Sequence, residues 1–96
     1  MGAVTRTRPR LWLRLYVAGN APNSLRAIAN VTAICATHPA AGAELEIVDM
    51  MVHPRRALAD GIIVTPTLLR VRPLPIHRVV GDLGDTLQVL LLLGVR

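Results

Sequence analysis

Residues 62–80 read Ile62-Ile63-Val64-Thr65-Pro66-Thr67-Leu68-Leu69-Arg70-Val71-Arg72-Pro73-Leu74-Pro75-Ile76-His77-Arg78-Val79-Val80. Two short apolar runs, Leu68 to Arg72 and Ile76 to Val80, flank a Pro73-Leu74-Pro75 turn, which predicts a pair of antiparallel strands. A proline stands directly ahead of the first, within Thr65-Pro66-Thr67. Downstream, Gly81-Asp82-Leu83-Gly84 breaks the strand pattern and Asp85 is placed to cap. Leu87, Leu90 and Leu91 then supply the apolar face of a last helix. Upstream, Pro54-Arg55-Arg56-Ala57-Leu58-Ala59-Asp60 predicts a short helix that starts on its proline, where a missing N–H costs nothing, and stops at Gly61.

The first half of the chain supplies a βαβ unit. Leu11, Leu13, Leu15 and Val17 alternate with Trp12, Arg14, Tyr16 and Ala18, the period of two of a strand inside a sheet. Gly19 to Ser24 is turn chemistry, with Pro22 suited to the first turn of a helix. Leu25, Ile28, Ala29, Thr32, Cys35 and Ala36 recur at helical spacing, and the helix must end before Pro39. Leu45 and Ile47 alternate with Glu44 and Glu46 in a second strand that closes on Val48-Asp49. A strand, a helix and a strand in succession predict a parallel crossover. The expected order is β-α-β-α-β-β-α in one α/β domain over residues 10–96, preceded by a flexible basic leader over residues 1–9.

Composition narrows the function classes. A chain of 96 residues has room for one core. Its apolar fraction is 52% and its mean hydropathy +0.46, yet no run approaches the roughly 18 apolar residues that span a bilayer. Arginines interrupt the N-terminus where a secretory signal would need an apolar stretch, so a cytoplasmic location is expected. The formal charge is +5 and lysine is absent, so the basic character is entirely arginine. Such a charge attracts an acidic protein face or a nucleic acid. The single cysteine, Cys35, permits neither an internal disulfide nor a thiolate cluster.

The order of elements, with a proline directly before the third strand, is the layout of the thioredoxin fold, and Val64-Thr65-Pro66-Thr67 resembles the place where that superfamily carries a cis-proline. Thioredoxin chemistry requires a low-pKa thiolate at the start of the first helix. Asn20-Ala21-Pro22-Asn23 stands there instead, and Cys35 lies about three helical turns downstream. Disulfide exchange is excluded on that ground. His38, His53 and His77 are scattered over different segments, Ser24 is the only serine and has no histidine partner in view, and Gly19, Gly81 and Gly84 form no phosphate loop. Neither catalytic residues, a metal site nor a cofactor is expected. A nucleic-acid-binding module is the alternative reading, weakened because only Trp12 and Tyr16 could stack on bases.

Four runs resemble the KaiB family: Leu15 to Asn20 continuing through Pro22-Asn23-Ser24, then Ile47-Val48-Asp49, then Thr65-Pro66-Thr67-Leu68, and finally Gly81-Asp82-Leu83. Gly19, Asn20, Pro22, Asn23, Thr65, Pro66, Thr67, Gly81 and Asp82 are the motif residues. The resemblance implies a non-catalytic regulator that binds a KaiC-like clock ATPase and modulates its phosphorylation cycle in circadian or stress signalling. A KaiA-like protein or a sensor histidine kinase are the further partners it implies. It also implies metamorphism, in which a tetrameric ground state with a rearranged second half coexists with a thioredoxin-like form, and hence a homo-oligomer, dimer or tetramer. The family's basic partner-binding positions match here at Arg14, Arg26, Arg70 and Arg78, while Glu46 reverses the charge of another. The end of the chain departs from the family pattern, as expected of a divergent short paralogue.

Overall fold

In the computed structural model, which describes residues 10–94, the alternating run forms a central strand, β1 (Leu11–Val17). It is followed by α1 (Pro22–Thr37), a short 3-10 turn over Pro39–Ala41, β2 (Ala43–Asp49), α2 (Pro54–Ala59), β3 (Thr67–Arg72), β4 (His77–Val80) and α3 (Thr86–Leu93). The expected order of elements is present throughout. Residues 1–9, assigned from sequence to a basic leader, lie outside the described residues. The sheet order is β2-β1-β3-β4. β1 runs parallel to β2, with Leu13 opposite Leu45 and Arg14 opposite Glu46, and antiparallel to β3, with Arg14 opposite Leu69. β4 lies antiparallel to β3, and the Thr65–Pro66 bond is cis, as are Arg72–Pro73 and Leu74–Pro75.

Alternation along β1 divides the molecule into two unequal layers. Leu11, Leu13, Leu15 and Val17 join Leu68, α1 and α3 in the larger apolar cluster, and Tyr16 joins Val48, Leu69 and Ala57 of α2 in the smaller one. A buried leucine or valine stabilises by about 1.5–3 kcal/mol. The larger cluster therefore carries the fold, while α2, six residues long with Ala57 its one buried residue, needs other ties.

Two helices are rotated from their expected faces. α1 buries Ser24, Ala27, Val31 and Ile34, whereas Leu25 is 50% exposed and Ala29, Thr32 and Ala36 face solvent; Ile28 and Cys35 lie at the border. The rotation is fixed at its first turn, where the buried Ser24 hydroxyl accepts the Ala18 N–H at 3.1 Å. α3 buries Val89, Leu92 and Leu93, leaving Leu87 65% and Leu91 62% exposed. Its residues are apolar nearly all round, so periodicity carries no phase. Its face is set by packing against α1 and β4; Leu83, just ahead of it, is buried at 3% exposure with φ of 63°. A left-handed leucine costs roughly 1–2 kcal/mol, which burial of its side chain offsets.

Candidate functional site

The junction of β1 and α1 is the place where a thioredoxin-like fold performs chemistry, and here it is tied by hydrogen bonds that involve no sulfur. Gly19, at φ of 53°, donates its N–H to Asp49 Oδ1 at 3.1 Å, and the same oxygen accepts the Met51 N–H at 2.9 Å. Asn20, Pro22 and Asn23 face solvent. Opposite them, Thr67 Oγ1 donates to the Val64 carbonyl at 2.7 Å, and the Gly81 N–H donates to the Pro66 carbonyl at 2.9 Å. Asp82 braces its own loop: its carboxylate accepts the Gly84 N–H at 2.9 Å and its carbonyl accepts Asn30 Nδ2 at 2.8 Å. Cys35 sits within α1, and burial pushes its thiol pKa up, away from the reactive thiolate.

The other face of β1 carries a network of charges. Arg14 Nε donates to Glu46 Oε1 at 2.7 Å and Nη1 to Asp60 Oδ2 at 2.9 Å, with the Arg14 side chain 15% exposed. Arg56 Nη2 meets the second Glu46 oxygen at 2.6 Å. The Tyr16 hydroxyl lies 2.5 Å from Asp60 Oδ2 and 2.9 Å from the Arg56 carbonyl. Burial alone would raise the Glu46 and Asp60 carboxyls, but hydrogen bonds outweigh it, from Arg14 and Arg56 to Glu46 and from Tyr16 and Arg14 to Asp60, and the arginine charges add to them; both pKa values sit below the ordinary carboxylate range. Burial opposes the charge of Arg14, but the bonds to Glu46 and Asp60 prevail and its pKa is raised. Tyr16 is pushed up to about 12 by burial, then by its bond to Asp60 and by that residue's charge.

The four arginines singled out from sequence do not form one cluster. Arg14 is held by Glu46 and Asp60. Arg26, on α1, bonds the Asn23 amide oxygen and lies 3.8 Å from Asp82, with its side chain 58% exposed. Arg78 projects to the α2 side, where it donates to the Asp60 carbonyl at 3.1 Å and the Gly61 carbonyl at 3.2 Å. Arg70 projects to the opposite side, toward the Leu92 carbonyl of α3. Glu46, Asp60, Arg56 and Tyr16 are the neighbours of Arg14 that sequence reasoning did not bring together. Aligning Leu13 with Leu45 across the parallel strands would have set Arg14 beside Glu46, but nothing in the sequence placed α2 over them.

Tyr16 is fully buried, and Arg14 covers the half-buried Trp12, its Cζ 5.0 Å from the ring centroid. The stacking platform that the nucleic-acid alternative requires is therefore not formed by these two rings. Among the described residues, no three His, Cys, Asp or Glu side chains gather as metal ligands, and no helix is long and apolar enough to cross a membrane.

Comparison with known proteins follows the same lines. The KaiB domain profile matches residues 14–95. The chain is 42% identical over 86 residues to the circadian clock protein KaiB3 of Synechocystis, covering 90% of this chain and 84% of that protein. It is 43% identical over 79 residues to the circadian clock oscillator protein KaiB of Synechococcus elongatus, covering 82% and 78%. Among solved structures, the N-terminal domain of Synechococcus elongatus SasA superposes with a TM-score of 0.74 at 23% identity, covering 98% of this chain and 92% of that one. Mitochondrial thioredoxin 3 of Saccharomyces cerevisiae superposes at 0.72 with 12% identity, covering 85% and 76%. At those identities the two structures speak for the thioredoxin-like fold.

Proposed function

The chain belongs to the KaiB family of non-catalytic clock regulators, and on that premise we propose that it binds a KaiC-type clock ATPase and modulates its phosphorylation cycle in circadian or stress signalling. The observation that carries this reading is a family match over residues 14–95 on a thioredoxin-like frame whose first helix starts at Asn20-Ala21-Pro22-Asn23 with no thiol. Such a frame presents a surface without a reaction. A cytoplasmic setting, a KaiA-like protein or sensor histidine kinase as further partners, and self-association as dimer or tetramer belong to the same proposal.

The four arginines take different parts in it. Arg26 and Arg78 present charge at the surface and would meet an acidic face of the ATPase directly. Arg14 would shape the surface by holding Glu46 and Asp60, and Arg70 would act from beneath α3. Because Arg26 belongs to the α1 layer and Arg78 to the α2 layer, their contributions are separable. Calorimetric titration of the chain into a KaiC-type hexamer tests the proposal. Arg26→Glu is expected to weaken binding roughly tenfold, about 1.4 kcal/mol, while circular dichroism stays unchanged; Arg78→Glu should weaken binding as well and also loosen the end of α2, whose carbonyls its guanidinium holds. Undiminished affinity in both variants would return these arginines to ordinary solvated positions, and absence of binding by the unaltered chain would remove the reading itself.

A further inference from the structure

Between β4 and α3 lies a groove of about 380 Å³. Val79, Leu91 and Leu92 supply its apolar walls, and Arg70, His77 and Gln88 its polar groups. Strand pairing sets Arg70 opposite Leu13 on one side and His77 on the other, so both project into the α3 layer. Arg78 also borders the groove, but its guanidinium is engaged by the carbonyls of Asp60 and Gly61 on the opposite face.

The Arg70 guanidinium is poorly satisfied. Nη1 reaches the Leu92 carbonyl at 3.4 Å and Nη2 the Pro75 carbonyl at 3.3 Å, both beyond the usual 2.7–3.2 Å of an N–H···O bond. Nε is buried and has no partner among the described residues. Most buried polar groups are paired, and an orphan calls for a physical reason. Among the described residues no carboxylate lines the groove.

We propose that this groove binds a small amphiphilic anion, a carboxylate with a compact apolar body. The planar fork of an arginine matches a carboxylate in two parallel hydrogen bonds. Nη1 and Nη2, whose carbonyl bonds are long, supply that pair. Gln88 is placed to donate from its amide, and Val79, Leu91 and Leu92 cover the apolar body. The groove's volume falls within the range of small-molecule sites. The site shares Arg70 with the partner-binding set but does not depend on ring binding, since its test contains no ATPase.

The test is an amide NMR titration of the whole chain with phenylbutyrate, with phenylbutanol and inorganic phosphate as controls. Saturable shifts centred on residues 70, 77, 79, 88, 91 and 92 are expected, with each control at least about tenfold weaker. Arg70→Gln should weaken phenylbutyrate at least about tenfold. Gln88→Glu, at an exposed helical position, should do the same by placing a carboxylate beside the guanidinium, and it decides the matter if Arg70→Gln loses its spectral dispersion. Equal binding of the alcohol would reduce the groove to an apolar surface, and equal binding of phosphate would reduce it to a point charge. Either result overturns the proposal, as do non-saturating shifts or undiminished binding in Gln88→Glu.

Discussion

Arg14 answers to two carboxylates and an indole at once, and that arrangement can be tested by removing it. Arg14→Ala leaves Glu46 and Asp60 partly buried on one face with only the charge of Arg56 and the hydrogen bond from the Tyr16 hydroxyl to stabilise them. A loss of about 1–3 kcal/mol is expected, read as a lower urea midpoint at unchanged slope. The same network sets a pH dependence. Glu46 and Asp60 have pKa values lowered in the folded chain, so their contribution is fully present above the unfolded value of about 4 and is lost as pH falls through the lowered folded values. Urea midpoints should decline below about pH 4, and the decline should be shallower in Asp60→Asn. Tyr16 has the opposite sign. Its folded pKa of about 12 lies above the ordinary value near 10, so its contribution holds below about pH 10 and fades as pH rises toward 12. As Tyr16 is the one tyrosine, tyrosinate absorbance should show a midpoint near 12 in the folded chain and near 10 in urea; a folded midpoint near 10 would break the Tyr16–Asp60 contact. From sequence, Arg14 reads as a charge for a partner. That Glu46 and Asp60 already hold it depends on strand register and on the position of α2, neither of which is local to Arg14.

The elements were legible where periodicity or punctuation is strong. Alternation in Leu11 to Val17, prolines at Pro22 and Pro54, and glycine at Gly61 place β1, α1 and α2 within a residue or so of their observed limits. Helix faces were not legible, because both α1 and α3 offer apolar side chains on more than one side. Leu25, Leu87 and Leu91 are as hydrophobic as the residues actually buried, and the choice is made by tertiary contacts: the Ser24 bond to Ala18 for α1, and packing against α1 and β4 for α3. Paired truncations check the assignment. Leu92→Ala should cost about 2–5 kcal/mol, whereas Leu87→Ala should stay within about 0.5 kcal/mol. Similar losses from both, measured by urea unfolding, would contradict the observed face. α2 illustrates a different limit. Six residues with one buried alanine are too few to form a helix by propensity, and it is held down by Tyr16, Arg14 and Arg78 from a distance in sequence.

At the scale of the molecule, each feature with functional weight depends on how the second half is arranged. β4 beside β3 brings Arg78 to the end of α2 and His77 to Arg70; α3 as a helix closes the groove and packs against α1 and β4. The four motif runs mark this chain as a KaiB protein from sequence alone, but the family resemblance admits a second arrangement in which the latter half is rebuilt, and two packings of one sequence can lie within a few kcal/mol of each other. Here Thr86 to Leu93 is rich in leucine, which favours helix over glycine by roughly 0.5–1 kcal/mol per residue, and its helix is closed at Gly94 with φ of 77°. The proposed partner surface, the charge network over α2 and the proposed anion groove all rest on that arrangement. Carbon-13 Cα secondary shifts over residues 86–93 of the free chain test it most directly. The account predicts uniformly helical, positive shifts through Leu93; strand-like, negative values over the same residues would contradict it.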